Sequence, residues 1–168
     1  IPAHAYVTFL MVILCTGFWL ACVIFSTNNG KSDAWSTLDL RTLILFGAKW
    51  MPEMIPGGQW WRLLTAAFLH GSLMHIALNL LTLLVVGAHC EEIYGTTRYI
   101  AIYLFSSITG FWFSLALSPD TLSVGASAPL MGIVGALIAV AWIRRTKETL
   151  ALRDFYVQLV IFSTAVNV

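Results

Sequence analysis

The chain has 168 residues, 59% of them apolar and only 10% charged, with a mean hydropathy of +0.84. Soluble domains carry roughly 25% charged residues, and a fold of this length keeps much of its surface wet. A soluble enzyme, a nucleic-acid-binding module and a disordered tail are therefore excluded together. The formal net charge of +1 supplies no basic field for nucleic acid. What remains is an all-α, multi-spanning membrane protein.

A helix needs about 20 apolar residues to cross the hydrocarbon core. The first such stretch runs from Ala5 to Ser26 and holds no charge. Asn28, Asn29 and Gly30 end it. Cys15 and Cys22 lie on it, and with Cys90 they form neither a disulfide-like framework nor a CxxC pair. Residues 28–60 form a long connector that mixes charges with the breakers Pro52, Pro56 and Gly57-Gly58. Its tryptophans favour the membrane interface, and the segment around 36–46 suits a position in the membrane plane.

The second apolar stretch spans about Leu63 to Ala88 and carries His70, His75 and Asn79. The third is about Tyr99 to Leu117, and Ser118-Pro119-Asp120 break it. The fourth runs from near Ser127 to near Ile143, and the fifth starts near Phe155. The basic cluster Arg144, Arg145, Lys147 and Arg153 lies between spans four and five. Placed in the cytoplasm, it puts the N-terminus inside and the 28–60 connector outside. There is no internal repeat, which counts against an inverted-repeat transporter.

Polar residues within apolar spans mark functional suspects. Ser127 stands in Gly125-Ala126-Ser127-Ala128-Pro129, at the start of an apolar helix. Two readings are open. Ser127 is an N-cap with Pro129 in the first turn. Or it is a nucleophile at a helix N-terminus, where free amides and the positive dipole end suit an oxyanion. His75 and Asn79 are four apart and share one helix face, with His70 close to the same side. They either glue two helices together or donate hydrogen bonds to a developing oxyanion. No HExxH is present, and no metal is assigned. Ala128, Gly132 and Ala136 repeat small residues at every fourth position, which suits a central, closely packed helix. In this topology His70, His75 and Ser127 all fall toward the outer leaflet.

Taken in order, several motifs are similar to those of the bacterial rhomboid intramembrane serine proteases. They are Phe46-Gly47-Ala48, Gly58-Gln59-Trp60-Trp61-Arg62, Phe68-Leu69-His70-Gly71, His75 with Asn79, Glu91 with Tyr94-Gly95, and Gly125-Ala126-Ser127 followed by Gly132. The resemblance covers the chain from about residue 40 onward. It implies a rhomboid-like polytopic helix bundle, 1–168 holding five spans of an expected six, with a membrane-embedded first loop. Ser127 would be the nucleophile. His75, Asn79 and the Ser127 backbone amide would form the oxyanion hole. Trp61 and Arg62 match a structural motif of the first loop, and Glu91 matches a structural acid at the cytoplasmic end of span two. Gly125 and Gly132 belong to the serine motif.

The implied partners are transmembrane protein substrates within the lipid bilayer, the implied location the cell (inner) membrane. No cofactor is implied. Two departures stand out. Ala128 occupies the place of the family's usual Gly, and the family's base histidine on the sixth helix has no match here. The base is expected beyond residue 168, and residues 1–168 alone are expected not to cleave. A rhomboid-like pseudoprotease that holds membrane clients is the alternative, and a small transporter or channel is a second.

Overall fold

The computed structural model describes residues 5–144 and 154–158. The described residues are helical, with two isolated bridges, Thr37 to Ser72 and Lys49 to Ser123, and no extended strand. The helices are α1 (Tyr6–Asn28), α2 (Leu40–Leu45), α3 (Met51–Met54), α4 (Arg62–Thr65), α5 (Leu73–Thr82), α6 (Ala88–Tyr94), α7 (Thr96–Leu117) and α8 (Ser127–Arg144). A 3₁₀ turn, Ala66–Phe68, follows α4, and a π-helical stretch, Leu83–Gly87, joins α5 to α6.

Among the described residues three stretches are long and apolar enough to cross a membrane: Tyr6–Asn28, Leu73–Tyr94 and Thr96–Leu117. Ser127–Ile143 is a shorter apolar helix. In hydrocarbon a spanning segment must satisfy its own backbone, and helices of this length do so. Of the expected fifth span only 154–158 is described, as helix; the rest lies outside the described residues.

The buried face of α1 is Thr8, Met11, Cys15, Trp19, Cys22 and Ser26, steps of three and four that trace one stripe. Both cysteines of α1 thus face the protein rather than lipid. The buried stripe of α7 is Tyr99, Tyr103, Ser107, Phe111 and Leu115, one residue per turn. The opposite faces carry exposed Phe9, Ile13, Phe105 and Trp112, as a lipid-solvated surface requires. Glu91, in α6, ties the start of α1 to the bundle. Its carboxylate accepts from the Val7 and Thr8 amides at 3.0 and 2.9 Å and from the Thr8 hydroxyl at 2.9 Å. It fills the role of a missing N-cap, because Ala5 offers no side-chain acceptor.

α7 and α8 pack with little between them. A methyl group on Gly132 would overlap the Ser106 Oγ and Cβ. A methyl on Gly110 would lie 2.8 Å from the Ala128 Cβ. Ala128 and Gly132 of α8 therefore face α7, and Ala128 turns its methyl toward Gly110. Tyr94 of α6 ties to α8 separately, its hydroxyl donating to the Ala136 carbonyl at 2.7 Å.

The second apolar stretch is the main difference from the sequence reading. The helix begins at Leu73, not Leu63. Residues 62–72 instead form α4, the 3₁₀ turn and an extended piece that ends at Ser72. Ser72 is the N-cap, accepting from the His75 amide at 3.2 Å. Helix-start chemistry at Gly71-Ser72 thus overrides a continuous apolar pattern. His70 consequently lies before the helix that carries His75, not on it.

Candidate functional site

The first loop is built around Arg62, which is only 4% exposed. Its Nη1 donates to the Ile44 and Ala48 carbonyls at 2.7 and 3.0 Å, and its Nε donates to Gln59 Oε1 at 2.9 Å. Trp61 lies beside it, the guanidinium carbon 4.9 Å from the ring centroid. Gly47 sits at φ +103, where a side chain is strained, and a Cβ there would meet Trp61 and Thr65 at 2.6 Å. Trp61, Arg62 and Gly47 thus form one knot that folds the connector back on itself. Ahead of it, Asp39 caps α2 by accepting from the Thr42 amide at 2.8 Å, and also holds the Ser26 hydroxyl at 2.8 Å. Burial opposes its ionisation, but the Thr42 amide and the Ser26 and Thr42 hydroxyls outweigh it and hold the carboxyl at about 2.

That knot delivers the 62–72 segment to the serine loop. Gly125, at φ +119, donates its amide to the Ala66 carbonyl at 2.8 Å. The next amide, Ala126, donates to His70 Nε2 at 3.5 Å. An imidazole nitrogen that accepts carries no proton, so the hydrogen of neutral His70 sits on Nδ1. His70 is fully buried, and burial, with His75 beside it, pushes its pKa down to about 3. His70 is therefore neutral, and its free lone pair already holds a backbone amide.

Ser127 is the first residue of α8. His75 stands across Gly125 from it. A Cβ on Gly125 would lie 2.6 Å from His75 Nε2 and 3.8 Å from Ser127 Oγ. Glycine at this position lets the imidazole rest against the backbone just before the serine. The His70 and His75 rings meet edge to face with centroids 5.1 Å apart. Asn79 lies one turn further along α5, 8% exposed, with Nδ2 donating to the His75 carbonyl at 2.8 Å. One of its two amide hydrogens is thereby used and the other remains. The structure brings Ser127, Gly125, His75 and His70 together. Gly132 lies against α7, Glu91 near the start of α1, and Trp61 with Arg62 in the first loop. Among the described residues no three His, Cys, Asp or Glu side chains converge as a metal site.

Sequence reasoning placed His70 on the helix face of His75 and missed its bond to Ala126. It also passed over Lys49, which is fully buried. The one available signal was a lone charge following Gly47-Ala48 in an otherwise uncharged run.

Long apolar helices around a polar cluster at a helix N-terminus define a multi-pass membrane protein with a sheltered site. A family model of the rhomboid domain matches residues 57–168, and the chain belongs to the rhomboid family. Similar curated proteins include the rhomboid protease GluP of Bacillus subtilis, 45% identical over 118 residues, covering 70% of this chain and 22% of that protein. Rhomboid-like protease 3 of Toxoplasma gondii is 38% identical over 111 residues, 64% of this chain and 42% of that protein. The rhomboid protease AarA of Providencia stuartii is 36% identical over 120 residues, 61% of this chain and 42% of that protein. The chain spans less than half the length of these relatives.

Proposed function

We propose that the protein is an intramembrane serine protease that cleaves transmembrane substrates near the outer face of the cell membrane, with its N-terminus in the cytoplasm. The observation that carries this reading is Ser127 at the N-terminus of α8 with His75 Nε2 lying against Gly125. A helix N-terminus directs unpaired amides and a positive dipole end at the atom a serine attacks. In this reading Ser127 Oγ adds to the substrate carbonyl as a base histidine takes its proton. The resemblance puts that histidine on a further helix beyond residue 168. The developing oxyanion is held by the Ser127 amide, by His75 Nε2–H and by the remaining hydrogen of Asn79. The base then protonates the leaving amine, and water releases the acyl group.

The departure at Ala128 is compatible with this chemistry. Its methyl packs against Gly110 on α7.

The test uses the full-length protein in liposomes, with a fluorophosphonate probe and a single-span reporter substrate. Labelling and cleavage are expected, and both disappear in Ser127→Ala. Reporter binding without labelling or cleavage would overturn the reading in favour of a client-holding protein.

A further inference from the structure

Lys49 is a buried charge that the chemistry above does not use. Its side chain has no exposed surface, and burial pushes its pKa down. Its Nζ donates to the Ser118 carbonyl at 3.0 Å and to the Thr121 carbonyl. Its main chain pairs in both directions with Ser123, at 3.0 and 3.1 Å. All three partners lie in the connection between α7 and α8. Sequence separations of 69 and 72 residues make these long-range ties rather than local turn bonds.

The ammonium occupies the place that a helix C-terminus offers a cation. The last carbonyls of a helix carry partial negative charge, and Ser118 directly follows α7. Ser118 also accepts from the Thr121 amide at 3.2 Å, so Lys49 closes a turn that is already half formed. From Ser123 the chain runs four residues to Ser127. Over that distance the Gly125 amide is held by Ala66 and the Ala126 amide by His70. The approach to Ser127 is thus suspended from the first loop at three levels: Lys49, Ala66 and His70. Two of these are single neutral hydrogen bonds. Lys49 alone of the three grips several residues and does so with charge, and charge-assisted bonds are the stronger kind.

We propose that Lys49 is a positioning residue for Ser127, its buried ammonium fixing the 118–123 turn and hence the angle at which the start of α8 meets His75. The inference rests on Ser127 being the nucleophile. Misplacing a reacting group by 1 Å costs on the order of 100-fold in rate, so a loosened turn is read in the reaction before it is read in binding.

The experiment follows fluorophosphonate labelling of the full-length protein in liposomes, with both rate constant and final amplitude recorded. Wild type, Lys49→Met and Asp39→Ala are compared, and kcat and KM are measured on the reporter. Met keeps the apolar stem and removes the ammonium. Asp39→Ala weakens the fold at the α2 cap, away from the serine loop. Lys49→Met is expected to be labelled to full amplitude with a rate constant lowered on the order of 10–100-fold, with kcat falling in parallel and KM unchanged. Asp39→Ala is expected to keep the wild-type rate constant.

A wild-type rate constant in Lys49→Met, whether at full or reduced amplitude, overturns the inference, because Lys49 then serves folding alone. If Lys49→Met does not accumulate folded, Lys49→Gln is read by the same criterion and should fall between the two. A wild type that takes no label sinks the Ser127 reading and this inference with it. A labelled wild type beside an unchanged variant sinks this inference alone.

Discussion

The first loop and the α7–α8 pair are held together by opposite means. Between α7 and α8 the contact is shape: Gly110 receives Ala128, and Gly132 receives Ser106. In the first loop the contact is hydrogen bonding by a few polar side chains, Arg62 and Lys49 buried and Asp39 partly so: Arg62 on Ile44 and Ala48, Asp39 on Ser26 and Thr42, Lys49 on Ser118 and Thr121. The reason lies in the backbone. A spanning helix satisfies its own amides and carbonyls, so only van der Waals fit remains for the neighbour to supply. A loop packed among helices leaves carbonyls unpaired, and each needs a donor from elsewhere.

If the comparison is right, the two regions should fail in different ways. The largest effect is expected in the loop. Arg62→Met leaves the Ala48 carbonyl without its donor and the Ile44 carbonyl with only the Gly47 amide at 3.2 Å, and an orphaned buried polar group costs about 1–3 kcal/mol. The bond to Gln59 is lost as well, so the total is expected at the top of that range. Thermal unfolding of the full-length protein in detergent should show it, with Lys in place of Arg restoring only part. A melting temperature unchanged in Arg62→Met would break the contrast.

The helix pair should yield next. Gly132→Ala puts a methyl into Ser106, and overpacking of this kind costs about 1–3 kcal/mol. Because the fault is one of shape, Ser106→Gly in the same chain should recover most of the loss. Additive losses in the double variant would show that shape is not what joins these helices.

The smallest effect sharpens the loop side through pH. Asp39 ionises at about 2 in the folded protein, below the ordinary carboxylate value of about 3.9. A depressed folded pKa contributes stability that is complete above the unfolded value and is lost as pH falls through the folded one. Asp39→Ala is expected to cost about 1 kcal/mol at pH 7. The gap between variant and wild type should close as pH falls from about 4 to about 2. A gap that stays constant over that window would remove the ionised cap from the account.

Much of the candidate site was readable one element at a time. Ser127 as the first residue of an apolar helix follows from Gly125 and Pro129 flanking it, and α8 begins there. His75 and Asn79 on one face follow from helical spacing, and the Asn79 bond to the His75 carbonyl has that i, i+4 geometry. The position of His70 was not readable, because the apolar run from Leu63 masks a break that Ser72 makes. Nor was Lys49, since the groups that justify burying it lie about 70 residues further along the chain.

The sequence by itself determined that this is a helical membrane protein, roughly where its apolar helices α1, α7 and α8 run, and which polar residues stand out among them. These are local properties, because lipid solvates each apolar helix much as it would alone. Only the tertiary structure decided that the second span starts at Leu73, that His70 holds the Ala126 amide, and that Gly125 brings His75 beside Ser127. Those are decided by which carbonyls and amides distant segments leave unpaired. No periodicity within a single segment carries that information.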